Sequence, residues 1–84
     1  MTCRSEIMQL VEQIRPLLVG KDPVIQSGAL AELISYWLAG HIVINSKDQT
    51  LELRAKLFAT HCALVRDLTA LNSEMLDAEF FDAR

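Results

Sequence analysis

Two polar side chains, Arg54 and His61, stand out on the otherwise apolar face of the segment that begins at residue 47. They are seven residues apart, so on a helix they project from nearly the same angular position. A guanidinium and an imidazole on one face can together bind an anion such as a carboxylate, and His41 is the residue that would complete such a ligand-binding site. The alternative is structural, because polar groups in an apolar helix seam often fix register and oligomeric state.

Metal binding and catalysis have little support in the sequence. His61 and Cys62 are adjacent, so on a helix they point about 100° apart and cannot hold one metal ion from a single turn. The sequence lacks the His and carboxylate spacings of helical metal sites. It also lacks a serine elbow, a phosphate-binding glycine loop and paired carboxylates in an apolar setting. We therefore predict a protein that is not an enzyme and has no metal site and no cofactor.

The composition predicts a chain that covers part of its surface with a partner. The chain has 84 residues, of which 51% are hydrophobic, and its mean hydropathy is +0.23. A domain of this length buries only roughly 60–65% of the surface that its unfolded chain exposes. Apolar patches left over on the surface usually mark interaction sites. We expect the partner to be a second copy of the chain, with another protein as a further possibility.

The charge distribution argues against two other classes of partner. The net charge is −3 and no basic patch occurs, so nucleic-acid binding lacks its usual electrostatic basis. Between Pro23 and Ser46 the only formal charge is Glu32, but polar residues interrupt every window of about 20 residues that a membrane-spanning helix needs. We predict no nucleic-acid partner and no membrane partner.

The cysteines and the N-terminal residues predict a reducing compartment. Cys3 and Cys62 do not form a disulfide framework or a metal-finger spacing. The first ten residues contain Arg4 and Glu6 and have no apolar signal-peptide core. A cytoplasmic location is therefore expected.

The first helix is predicted over residues 5–19. Apolar residues recur there with the spacing of one helical face, and Gly20 is the expected C-terminal stop. Pro16 falls inside this pattern and removes one backbone hydrogen bond on the polar side of the helix. A single kinked helix is the main interpretation, and a break at Arg15 is the alternative.

The second helix is predicted over residues 23–39. Asp22 is the expected N-cap, Pro23 occupies the first helical position and Gly40 is the expected stop. Gly28 and Ala31 belong to a narrow stripe of small residues on this helix. Such a stripe lets another helix approach closely, either in a second copy or, as the alternative, in the first helix of the same chain.

The third helix is predicted to be the longest. Ser46 and Gln49 match a capping box, which places the helix start at residue 47. The helix runs over residues 47–72. It then either continues or breaks near Asn72, in which case residues 73–82 form a short fourth helix.

Residues with heptad spacing, all apolar except His61, form a seam along this third helix. Its members step by 4, 3, 4, 3 and 4 residues and are Leu57, His61, Leu64, Leu68, Leu71 and Met75. This helix is longer than the other helices of one small domain could cover. Pairing with a second copy across a symmetry axis therefore explains its length best. The residues predicted to lie in the interface are Gly28, Ala31, Trp37, Leu57, Leu64, Leu68 and Leu71.

These features together predict a single all-α domain over residues 1–84, with three helices and a possible short fourth helix. The expected assembly is a homodimer whose shared core is a helical bundle. The expected function is that of a small, non-catalytic interaction or regulatory protein. The alternative is a protein that binds a small anion or a metal ion at the dimer seam around His61 and Arg54.

Overall fold

The computed structural model describes the backbone of residues 2–82 and the side chains of residues 3–81. In chain order the elements are α1 (Thr2–Leu18), α2 (Pro23–Ala39), α3 (Lys47–Asp77) and a π-helical turn (Ala78–Asp82). Helix makes up 86% of the structure, and the described residues contain no strand. The predicted all-α class with three helices is confirmed.

By backbone packing the chain divides into two units, residues 1–35 and residues 36–84. The first unit contains α1 and most of α2. The second contains the last turn of α2, a connector of residues 40–46, α3 and the π-helical turn. The single domain over residues 1–84 and the helical bundle therefore remain predictions.

The helix α1 passes through Pro16 without a break and ends at Leu18. Pro16 and Glu12 are both exposed, so water can satisfy the Glu12 carbonyl that loses its intrahelical partner. Gly20 then adopts φ +81°, a conformation that costs glycine little. The Lys21 N–H donates to the Leu18 carbonyl at 3.1 Å and closes the turn. The continuous helix and the stop at Gly20 are confirmed.

The start of α2 is fixed by two side chains of the first unit. The Asp22 carboxylate accepts a hydrogen bond from the Val24 N–H at 2.8 Å, as an N-cap does, and Pro23 is the first helical residue. The Gln26 side-chain amide donates to the Leu18 carbonyl at 2.7 Å and so satisfies a terminal carbonyl of α1. The predicted helix start is confirmed.

The end of α2 lies at Ala39, one residue before the predicted glycine stop. The Gly40 N–H donates to the Tyr36 carbonyl at 3.0 Å. A Cβ atom at Gly40 would lie only 3.3 Å from the same carbonyl oxygen, so the missing side chain permits this close approach. The chain then leaves the helix at His41.

The connector is fastened to α3 by Thr50, whose side chain is the only buried one among residues 3–81. Its Oγ1 accepts the Val43 N–H at 2.9 Å. The hydroxyl proton has two acceptors within reach, the Ser46 carbonyl at 2.8 Å and the Val43 carbonyl at 3.1 Å. One hydroxyl therefore satisfies backbone groups on both sides of the turn that leads into α3.

The N-cap of α3 is confirmed, but the capping box is only half formed. Ser46 Oγ accepts the Gln49 N–H at 3.1 Å. The Ser46 N–H, which the box would pair with the Gln49 side chain, instead donates to the Val43 carbonyl at 3.2 Å. This turn places Asn45 at φ +68°, in the left-handed region that asparagine tolerates.

The helix α3 is continuous over Lys47–Asp77, so no break occurs near Asn72. Its 31 residues correspond to a length of about 46 Å. The π-helical turn Ala78–Asp82 follows without a connector, so this segment is a continuation and not a separate fourth helix. None of the described helices is both long and apolar enough to cross a membrane.

Neither unit buries an apolar side chain among residues 3–81. Large apolar residues that helix amphipathicity would assign to a core are well exposed, including Ile7 at 57% and Leu64 at 53%. Burying a side chain of this size usually stabilises a fold by about 1.5–3 kcal/mol. That contribution is missing from the single chain.

We predict that Thr50→Val destabilises the protein by roughly 1–3 kcal/mol, because the Val43 N–H in the connector loses its partner. Urea unfolding followed by circular dichroism at one fixed protein concentration measures the change. Thr69→Val is the matched control, since the exposed Thr69 hydroxyl only donates to the Val65 carbonyl of its own helix. Equal effects of the two substitutions would contradict the role given to Thr50.

Candidate functional site

The two histidines singled out in the sequence meet at Trp37, in the last turn of α2. The indole and the His41 imidazole lie with their centroids 5.4 Å apart and their planes at 79°, an edge-to-face contact. The His61 imidazole of α3 lies on the same indole at 5.3 Å, with a tilt of 51°. Both histidines predicted for the ligand site therefore contact one aromatic ring.

The geometry of His41 fixes which ring nitrogen carries the proton. Its Nδ1 lies 2.6 Å from the Trp37 carbonyl oxygen, which can only accept a hydrogen bond. Nδ1 is therefore the protonated nitrogen, and Nε2 is the acceptor in the neutral ring. The imidazole thus serves as a side-chain cap for a terminal carbonyl of α2.

Arg54 binds backbone carbonyls at the same helix end. Its Nη2 donates to the Ala39 carbonyl at 2.8 Å, and its Nε donates to the His41 carbonyl at 3.2 Å. A cation at the C-terminus of a helix also interacts favourably with the helix dipole. The guanidinium that we expected to bind an anion beside His61 thus directs two of its N–H groups to carbonyls of its own chain.

An apolar groove lies beside Trp37 along α3, with a volume of about 490 Å³. Such a volume falls in the range of ligand pockets, roughly 300–1,000 Å³. Lys56, Thr60 and His61 supply polar groups to its lining. The residues that line the groove are Trp37, Leu53, Lys56, Leu57, Thr60, His61 and Leu64.

The heptad seam extends further towards the N-terminus of α3 than the apolar residues indicate. Counting back from Leu57 by three and then four residues reaches Arg54 and Thr50, the two residues that hold the connector and the end of α2. Sequence analysis did not identify Thr50 as functional. The heptad spacing itself was the signal that could have found it.

The two halves of this seam differ in their burial and in their contacts within the second unit. From Thr50 to His61 the seam residues are buried or half-buried, and Thr50, Arg54 and His61 contact residues 37–46. From Leu64 onward they are exposed. The exposed fractions are 53% for Leu64, 41% for Leu68, 64% for Leu71 and 62% for Met75.

Two other predicted interface residues, Gly28 and Ala31, lie in the unit of residues 1–35. Both are exposed, and a Cβ atom at Gly28 would meet no atom within 4 Å. The stripe of small residues thus has open space beside it. Its predicted role in close helix contact remains a prediction.

No protein-family model matches the chain, and no curated protein and no solved structure matches it. Among the described residues, no group of three or more His, Cys, Asp or Glu side chains is placed to hold a metal ion. The seam, the groove and the cluster around Trp37 are the features of the chain that could carry a function.

We predict that Arg54→Lys lowers the free energy of unfolding by about 1–2 kcal/mol, because an ammonium cannot reproduce the forked pair of bonds to Ala39 and His41. The emission of Trp37, the one tryptophan, should shift as the end of α2 loosens. Arg66→Lys is the control, since Arg66 is exposed and, among the side chains of residues 3–81, bonds only the adjacent Asp67. Arg54 would have no such role if both variants unfolded like the parent.

Proposed function

We propose that this protein is a small, non-catalytic interaction or regulatory protein that acts as a helical homodimer. The observation that carries the proposal is the exposed half of the seam on α3, from Leu64 to Met75, in a chain that buries no apolar side chain among residues 3–81. An exposed apolar stripe of this length costs free energy in water and is stabilised by a partner that covers it.

A second copy is the partner that fits this stripe best. An interface with two-fold symmetry uses the same patch on both subunits, so the patch must be complementary to itself. Leucines at alternating spacings of three and four residues meet that requirement, because each side chain packs between residues of an identical facing helix. The described seam from Leu57 to Met75 keeps this spacing without interruption.

The groups around Trp37 support a structural role for the cluster over a catalytic one. His41 Nδ1 donates to the Trp37 carbonyl, and Arg54 donates to the Ala39 and His41 carbonyls. The His41 bond caps the end of α2, and the two Arg54 bonds hold that end and the start of the connector on α3. The dimer would then present the remaining helical surface to other proteins.

The two cysteines support a reducing compartment such as the cytoplasm. Cys3 and Cys62 are both free and both exposed. Exposed free thiols are tolerated best where glutathione and thioredoxin keep them reduced.

A second candidate function is the binding of a small anion or a metal ion around His61, His41 and Arg54, of which His61 lines the groove beside Trp37. His41 Nε2 and His61 are the groups that would face such a ligand, while Arg54 is engaged with carbonyls. The engagement of Arg54 makes this candidate weaker than the dimer.

We predict that the parent protein elutes as a dimer whose mass, measured by light scattering after size-exclusion chromatography, is retained over a wide range of loading. Leu68→Gln should weaken the dimer about a hundredfold to a thousandfold, because each copy loses a buried leucine. Leu76→Gln is the matched control. Leu76 lies on the same helix outside the seam, and its exposure of 47% is close to the 41% of Leu68.

The two leucines are almost equally exposed in one chain, so only pairing through the seam separates the variants. A monomeric parent, or equal dissociation of the two variants, would overturn the proposed dimer.

His61→Leu distinguishes the two candidate functions. Under the dimer proposal the variant keeps its helical content, shown by circular dichroism, and becomes more stable or less uniform in oligomeric state, because a polar seam residue is lost. Under the ligand proposal, titration calorimetry with sodium phosphate or zinc chloride detects binding to the parent and none to the variant. Affinity retained in the variant would exclude His61 as a ligand-binding residue.

A further inference from the structure

The seam of α3 is used twice, and the two uses meet at His61. Its N-terminal part carries the chain's own Trp37 and connector through Thr50, Arg54 and His61. Its C-terminal part, from Leu64 to Met75, is the exposed part. The contact with any second copy must therefore be centred on the C-terminal part, because Trp37 and the connector of the same chain already lie on the N-terminal part.

We propose that two copies pair through α3 in the antiparallel direction, with the two-fold axis midway between Leu68 and Leu71. This inference rests on the proposed homodimer and specifies its geometry. The contact between the two helices is then centred on the exposed parts of both seams. The N-terminal parts, which carry Trp37 and the connector of each copy, lie at the two opposite ends of the helix pair.

A parallel pair would place the N-terminal parts side by side. The Trp37 side chains of both copies would then compete for the space between the two helices at the level of Leu57 and His61, and both connectors would compete at the level of Thr50 and Arg54. Packed helices lie only about 8–10 Å apart, which leaves no room for two indoles and two connectors. The antiparallel arrangement avoids this collision.

The heptad spacing agrees with this axis, because it brings apolar residues to the same level in successive layers. Leu68 faces Leu71 of the second copy, and Leu64 faces Met75 of the second copy. One layer further out, the larger His61 faces the small Ala78 of the second copy. Large and small side chains opposite each other allow the layer beside Trp37 to close without a clash.

The charges along α3 also favour the antiparallel direction. The C-terminal part carries Glu74, Asp77 and Glu79, whereas in the N-terminal part Lys47, Arg54 and Lys56 outnumber Asp48 and Glu52. Parallel helices would set the two acidic ends against each other, and like charges in proximity are destabilising. One flank of the antiparallel pair places Asp67 near Glu74 of the second copy, and because Asp67 and Glu74 are exposed, solvent limits that cost.

This geometry assigns an occupant to the groove beside Trp37. The groove is lined by Leu57, His61 and Leu64, which are the levels reached by Ala78 and Met75 of the second copy. The second copy thus covers the groove and completes the surroundings of the single tryptophan. The two grooves of a dimer are equivalent and lie at its two ends.

Disulfide formation between single-cysteine variants tests the direction. Leu64→Cys and Met75→Cys are each made in a Cys3→Ser, Cys62→Ser background, and the two variants are mixed, exchanged and oxidised. In the antiparallel pair these two positions share a layer, within the reach of a disulfide. The Leu64 residues of the two copies are then about 16 Å apart along the helix axis, too far to be bridged.

We expect covalent dimer only in the mixture, up to the statistical share of mixed dimers, and none in either variant alone. Leu64→Cys mixed with Leu76→Cys is the matched control and should give no covalent dimer, since Leu76 lies outside the seam. Covalent dimer from Leu64→Cys alone would overturn the antiparallel direction in favour of the parallel one. Light scattering on the same samples before oxidation separates this result from a failure of the homodimer itself, which would show as monomers.

Discussion

The hydrogen bonds from Arg54 to the carbonyls of Ala39 and His41 are the constraint on which the rest of the second unit depends. They hold the last turn of α2 on α3 at a place where no buried apolar side chain does so. Trp37 leaves α2 in that turn, so its contacts with His41 and His61 follow from the position that Arg54 sets. The groove beside Trp37 exists because the indole is held above α3 at this point.

Thr50 complements Arg54 from the other end of the connector. Its hydroxyl is bonded to Val43 and lies within reach of the Ser46 carbonyl, so the turn that leads into α3 is tied to the first turn of the same helix. Directional polar contacts of this kind define a geometry well but contribute only about 1 kcal/mol each to stability. A unit fastened in this way is specific in shape and has little apolar stabilisation of its own.

The sequence predicted the helices well because local signals determine them. Asp22 with Pro23, Gly20 and Ser46 each act within a few residues, and the structure places helix ends where they indicate. The reciprocal half of the capping box was wrong because the Ser46 N–H instead donates to the Val43 carbonyl in the turn. The heptad spacing marked the seam positions of Arg54 and Thr50, but it could not predict their hydrogen bonds. Their partners are main-chain atoms 15 and 7 residues away, and no side-chain pattern marks a particular backbone group.

The absence of buried apolar side chains among residues 3–81 has a consequence for the life of the chain in a cell. In the proposed assembly, folding and association draw on the same leucines, so the folded fraction rises with the amount of protein synthesised. Chains made in low amounts would stay open to proteases, and chains made above the dissociation constant would protect one another. The lifetime of this protein would then depend on its abundance. A lower rate of synthesis would reduce the amount of protein by more than the same factor.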